Sequence, residues 1–72
     1  MSNYQMVVNV LNDYGAMTSS QIAVQVNKHY GVVLSASQVA GVMRPLNVKG
    51  EAATSKDERN KTRYWMVNQE WR

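Results

Sequence analysis

This sequence predicts an α+β fold in which three helices are followed by a C-terminal β-hairpin, and three observations predict it. Thr18 and Ser35 each stand three places before a glutamine, Gln21 and Gln38, and each opens an apolar stripe at helical spacing. A third stripe of the same kind lies upstream and stops at Gly15. The stretch from Thr62 to Val67 is dense in β-forming residues and follows a run, Ser55 to Lys61, with no apolar side chain. Residues 1–72 are read as a single domain.

The first helix is expected to start at a Ser2 cap and to present Tyr4, Val7, Val8 and Leu11 on one face. Gly15, after Asp13 and Tyr14, ends it after about three turns. Ala16 and Met17 are read as extended, pairing with the hairpin as a short strand. At Thr18 the hydroxyl can accept from a free backbone N–H while Gln21 reaches back to the cap's own N–H. Ile22, Ala23, Val26 and Tyr30 then line one face, and Gly31 stands where a left-handed C-terminal residue is wanted, so the second helix is placed from about Ser19 to His29.

The third helix opens with the same device at Ser35 and Gln38. Val39, Val42, Met43 and Leu46 form its apolar stripe, which leaves Ser37, Gln38, Gly41 and Arg44 on the opposite, polar face. Pro45 deletes one i to i−4 hydrogen bond and disfavours helical geometry at Arg44, so the helix is expected to end or kink near Arg44. Beyond it, Asn47 to Thr54 carries Val48, Ala52 and Ala53, and the polar run from Ser55 to Lys61 reads as a loop or hairpin tip. In the returning strand Trp65 and Val67 are assigned to the inner face and Tyr64 and Met66 to the outer, an assignment that a register shift of one residue would invert.

A chain of 72 residues buries only roughly 60% of its unfolded surface and leaves no room for a second domain or a deep substrate cavity. Without cysteine there are no disulfides and no thiolate metal sites, which fits a reducing compartment. No apolar run approaches the ~20 residues that cross a bilayer and no signal-peptide pattern occurs, so the chain is expected to be soluble and cytoplasmic, without a membrane partner. The net charge of +3 is modest, but seven of the eight Lys and Arg residues lie at or after Arg44, with Lys28 alone before it. Either this places positive potential on one side of the fold, or Asp57 and Glu58 neutralise part of it and the segment is a solvated turn.

Catalysis finds little support. His29 is the sole imidazole and has no Asp or Glu at helical spacing to orient it. Asp13, Glu51, Asp57, Glu58 and Glu70 offer no pair with acid/base spacing on a rigid element, and neither a zinc nor a calcium pattern nor a glycine-rich phosphate loop is present. The expectation is a non-enzyme without cofactor or metal.

These elements resemble the winged helix-turn-helix superfamily of bacterial and bacteriophage DNA-binding proteins. Met17-Thr18-Ser19-Ser20-Gln21-Ile22-Ala23 looks like the start of that family's second helix, and Leu34 to Leu46 like its recognition helix. Lys49-Gly50-Glu51 resembles the lead into the first strand of the wing, and Thr62-Arg63-Tyr64-Trp65-Met66-Val67 the returning strand. The chain departs from the pattern at Pro45, inside the recognition helix, and at Asp57-Glu58, where the family often carries Arg or Lys. The resemblance implies that helix three enters the major groove of duplex DNA, with Ser37, Gln38, Gly41 and Arg44 facing the bases. Gln can pair with adenine and Arg with guanine, while Gly41 allows close backbone approach. Gln38 has a second reading, as a member of its capping box, and Arg44 another, as a complement to the helix dipole.

Phosphate contacts are assigned to the hydroxyls and free N–H groups of Thr18, Ser19 and Ser20, with ordinary capping as the alternative for Thr18, and to Lys49, Lys56, Arg59, Asn60, Lys61 and Arg63. Asn60 also suits the hairpin turn. The rings of Tyr4, Tyr14, Tyr30, Tyr64 and Trp65 are expected to build the core in the absence of phenylalanine, and Trp71 either docks on the core or belongs to a dimer interface. The implied function is a small transcriptional regulator of duplex DNA, acting as a homodimer or with a partner protein because one copy covers too little DNA to be selective. The competing reading is a protein-binding winged-helix adaptor or inhibitor without DNA binding, and a third is a structural subunit of an assembly.

Overall fold

The computed structural model describes residues 2–67, so Glu70 and Trp71, and what was expected of them, lie outside the described residues. The chain runs α1 (Asn3–Tyr14), β1 (Met17–Thr18), α2 (Ser19–Tyr30), α3 (Ala36–Val48), β2 (Ala52–Lys56) and β3 (Thr62–Met66). The strands form one antiparallel sheet in the order β1-β3-β2. This is a three-helix winged helix-turn-helix, with β2 and β3 as the wing.

Each helix starts where a side chain replaces the missing carbonyl partners. Ser2 accepts from the Gln5 N–H, Thr18 from the Gln21 N–H and Ser35 from the Gln38 N–H. At their ends, α1 and α2 stop at Gly15 and Gly31, both with positive φ, and the Gly31 N–H returns to the Asn27 carbonyl. The expected short strand exists one residue later than assigned, at Met17–Thr18.

The core is aliphatic and thioether rather than aromatic. Met6, Val7, Val10 and Leu11 of α1 meet Ile22 and Val26 of α2 and Val39, Met43 and Leu46 of α3, with Met17, Leu34 and Ala52 closing the rim. Of the stripe expected for α1, Val7 and Leu11 are buried as assigned, whereas Tyr4 is exposed and Val8 half-buried, their places on the inner face being taken by Met6 and Val10. Tyr14 and Tyr30 are also exposed, because their hydroxyls are used at the α1/α2 seam. Tyr14 meets His29, and Tyr30 accepts from the Asn9 amide at 3.2 Å. Unbranched methionines fill the irregular space between three helices more readily than rings whose polar tips need partners.

Two further corrections concern the second half of the chain. α3 does not end near Arg44; it continues to Val48 with Pro45 inside it. Gly41 and Pro45 are both exposed, so the Gly41 carbonyl that Pro45 cannot serve is open to water. Leu46, 2% exposed, anchors the last turn in the core, and the N–H groups of Lys49 and Glu51 close it on the carbonyls of Pro45 and Leu46. The Asn47 amide then bonds the Ala52 carbonyl at 3.0 Å and ties the helix exit to β2.

The faces of β3 are inverted relative to expectation. Tyr64 and Met66 pack on the core, Trp65 is half-buried on the other side and Val67 is exposed. The register explains it: Met66 pairs with buried Ala52, Tyr64 pairs with buried Met17 on one side and Thr54 on the other, and Trp65 falls opposite Ala53. Ser55 and Lys56, assigned to the loop, are the last residues of β2.

Replacing Pro45 with Ala restores the missing N–H and removes the ring from a helix interior. The expected result is a gain of about 1–3 kcal/mol in urea or thermal unfolding, less the smaller loss from a freer unfolded chain. A loss of stability would mean that the ring makes contacts that outweigh its backbone cost.

Candidate nucleic-acid interface

The geometry of the site begins at Thr18, which is both the end of β1, paired with Arg63, and the N-cap of α2. One residue therefore fixes the start of α2 against the wing. Its capping box is complete, with the Gln21 N–H donating to Thr18 Oγ1 at 3.2 Å and the Thr18 N–H donating to Gln21 Oε1 at 3.0 Å. That at Ser35 is complete too, at 3.1 and 2.8 Å. Both glutamine side-chain oxygens are thus committed to the backbone. Gln38 keeps its amide nitrogen for an external acceptor.

Beside these helix starts runs a groove of about 400 Å³, lined by Thr18, Ser19 and Ser20 of the α2 start, Ala36, Ser37 and Ala40 of α3, and Lys61, Thr62 and Tyr64 of the wing. A second cleft of about 720 Å³ separates Thr18, Ser20 and Gln21 from Lys56, Asp57, Glu58, Arg59, Lys61 and Arg63. In the first groove hydroxyls and the positive ends of the α2 and α3 dipoles face Lys61, and in the second the α2 start faces Lys56, Arg59, Lys61 and Arg63. An anion in the first groove would meet donors from α2, α3 and the wing.

The acid at the wing tip builds the tip. Asp57 Oδ1 accepts from the backbone N–H of Arg59 at 2.9 Å and of Lys61 at 3.0 Å, and the Asn60 N–H returns to the Asp57 carbonyl. Asn60 takes φ 61°, the left-handed conformation that asparagine tolerates in a turn. Asp57 Oδ2 holds Arg63 Nε at 3.4 Å. The Lys61 backbone N–H above all keeps the Asp57 carboxyl below the usual carboxylate range; desolvation opposes it, and the Arg59 N–H and the Arg63 guanidinium add to the lowering.

Of the residues expected to contact DNA, Thr18, Ser19, Ser20, Ser37, Lys56, Arg59, Lys61 and Arg63 line these two spaces. Gln38, Gly41, Arg44, Lys49 and Asn60 line neither, although all five are exposed. Gly41 and Arg44 follow Ser37 along one face of α3 at i+4 and i+7. Arg44 stands a turn before the helix end at Val48, outside the last turn, so complementing the dipole is not its use. A Cβ at Gly41 would meet nothing within 4 Å. The fold therefore does not require glycine there. Sequence reasoning missed Asp57 as the organiser of the wing; an Asp three residues before Asn at a hairpin tip was the available signal.

On the far side of α1 and α2, His29 is exposed and contacts the Tyr14 hydroxyl, their ring centroids 5.5 Å apart. Among the described residues no three His, Cys, Asp or Glu side chains come together in a metal-binding group. No helix among them is long and apolar enough to cross a membrane.

No protein-family model and no curated protein sequence matches the chain. Solved structures with the same fold exist, among them two complexes of hsRosR. With hsRosR-S4 the TM-score is 0.80 at 17% sequence identity over 96% of this chain, and with hsRosR-S1 it is 0.80 at 18% over 94%. The chain spans 59% and 60% of the length of those two proteins. At this identity the likeness is one of fold, and it establishes the winged-helix architecture.

Because the folded Asp57 carboxyl titrates below its ordinary 3.8, the turn is stabilised by the ionised form. That contribution is complete above the unfolded value of about 3.9 and is lost as pH falls through the lower folded value. The Arg59 and Lys61 amide resonances, both bonded to this carboxylate, are expected to titrate together with a midpoint under 3.8. A midpoint at or above that value would show that the tip bonds do not form in solution.

Proposed function

We propose that this protein is a DNA-binding transcriptional regulator that reads duplex DNA with α3 in the major groove and lays the wing along the sugar-phosphate backbone. The observation that carries the reading is the groove shared by the N-terminal ends of α2 and α3 and by Lys61 of the wing. Two helix starts facing Lys61 in this groove, with Lys56, Arg59 and Arg63 lining the cleft beside it, suit a polyanion whose charges recur along a line. The winged-helix fold, shared with the hsRosR complexes, supports the same use. In this reading Ser37, Gln38 through its amide nitrogen, and Arg44 meet base edges, while Ser19, Ser20, Lys56, Arg59, Lys61 and Arg63 meet phosphates. Lys49, capping the far end of α3, is the outlying backbone contact.

Gly41 adds an independent argument. A glycine in a helix interior costs roughly 0.5–1 kcal/mol relative to alanine, and nothing inside the protein requires it. Close approach of an external backbone to α3 is the use that remains. A homodimer or a partner protein completes the reading, since one domain covers too few base pairs to select a site. The chain has no catalytic role in it and works in the cytoplasm. The competing reading, a protein-docking winged helix without DNA, would draw on exposed apolar residues such as Val33 and Val48, which are 83% and 81% exposed.

Titration of labelled random-sequence duplex at low and near-physiological salt separates the two. DNA binding with roughly 4–6 phosphate contacts gives a log–log salt slope of about −4 to −5, whereas a mainly apolar protein interface gives almost none. Joint replacement of Arg59 and Lys61 by Ala is expected to weaken all duplexes alike and to flatten that slope by about 2. Arg44→Ala should instead change the motif enriched from a random pool. Binding untouched by the wing pair would remove the wing from the interface.

The replacement Gly41→Ala is expected to raise stability by about 0.5–1 kcal/mol and to weaken duplex binding. A variant more stable and equally tight would show that nothing approaches α3 at this point.

A further inference from the structure

Asp57 is the one carboxylate in the second cleft whose two oxygens do different work. Oδ1 accepts the N–H groups of Arg59 and Lys61 and so shapes the turn. Oδ2 engages the Arg63 guanidinium, through Nε at 3.4 Å. Among the described residues the neighbouring Glu58 takes no part in an ion pair. Arg63 is placed by its register opposite Thr18, at the start of α2, and it lines the cleft with Ser20 and Lys61. Its side chain is 43% exposed, so the guanidinium remains open to an outside anion.

We infer that Asp57 is an internal stand-in for phosphate: in the free protein it holds Arg63, and on docking a backbone phosphate of the duplex takes the guanidinium over while Oδ1 keeps the turn. This rests on the DNA-binding reading and makes Asp57 a positioning residue that sets affinity without touching the ligand. A carboxylate and a phosphate offer the same acceptor geometry to a guanidinium. A long contact through Nε in a solvent-open position is weak enough to exchange. The Asp57 carboxyl stays ionised well into acid, so the stand-in is charged at every pH at which the duplex would be met. The wing therefore carries an acid pair without forfeiting its role: one acid shapes the tip, and it also prevents Arg63 from adding its full share to indiscriminate binding.

The test uses the full chain and a random-sequence duplex. Asp57→Asn keeps an oxygen for the two backbone N–H groups and places on the other arm an amide that cannot hold Arg63. Glu58→Gln changes the net charge equally and releases no cation. The expected result is that Asp57→Asn binds at least about threefold tighter than Glu58→Gln with the same log–log salt slope, because the Arg63–phosphate contact is made in both complexes and only the competition for it is removed. Arg63→Gln is expected to cost more in the Asp57→Asn background than in the unaltered protein.

The unaltered protein provides a readout that does not depend on how well the variants fold. The Arg63 Nε–H resonance should follow the Asp57 titration in the free protein and cease to follow it in the complex. Equal affinities for Asp57→Asn and Glu58→Gln, equal costs for Arg63→Gln in both backgrounds, or an Nε–H that still follows Asp57 in the complex would overturn the exchange while leaving DNA binding standing. Absence of binding by every form at low salt would overturn both.

Discussion

The pairing of Thr18 with Arg63 is the contact on which the rest of the arrangement depends. β1 is only two residues long, Met17 and Thr18, and by itself contributes little to stability. Its position decides everything near it, because Met17 is buried in the core while Thr18 caps α2. The sheet is thereby attached to the helices at the residue where α2 begins. Ala52, Tyr64 and Met66 hold β2 and β3 on the core, and the β1 ladder adds the attachment that sets the wing against the α2 start. With it, the wing stands at a fixed distance from the α2 start, and the groove between them follows.

Much of this was legible in the sequence wherever one residue has one local job. Thr18, Ser35, Gln21 and Gln38 announce two helix starts because a hydroxyl and an amide three residues apart satisfy backbone groups that nothing else serves there. Gly15 and Gly31 announce two ends for the complementary reason. Asn60 announced the hairpin tip. In each case the physics is contained within four or five consecutive residues.

The misread elements share the opposite property. Pro45 should break a helix by local rules, yet the burial of Leu46 and the closure of the last turn by Lys49 and Glu51 outweigh one lost hydrogen bond at an exposed position. The inner face of β3 was inverted because alternation alone does not say which phase points inward; Ala52 and Met17, distant in sequence, decide it through their pairs with Met66 and Tyr64. The tyrosines of α1 and α2 were assigned to the core by composition, but Asn9 and His29 give their hydroxyls partners at the rim. The candidate site divides the same way. Its cations were legible as a cluster in the chain, whereas their convergence on the start of α2 depends on the register of a two-residue strand.

The wing also shows why net charge is a poor guide to what such a surface can do. Four cations stand against two acids in the segment from Lys56 to Arg63, and a reading by charge alone sees partial neutralisation. Geometry separates the two acids. Asp57 accepts two backbone N–H groups and a guanidinium, so its charge is consumed in shaping the turn that presents Arg59 and Lys61. An aspartate that serves backbone donors at short range does not repel an approaching polyanion as an unpaired carboxylate would, because its field is already compensated by the groups it binds. The acid that most weakens the case for an anionic partner in the sequence is, in the fold, the residue that holds the cations in place to meet one.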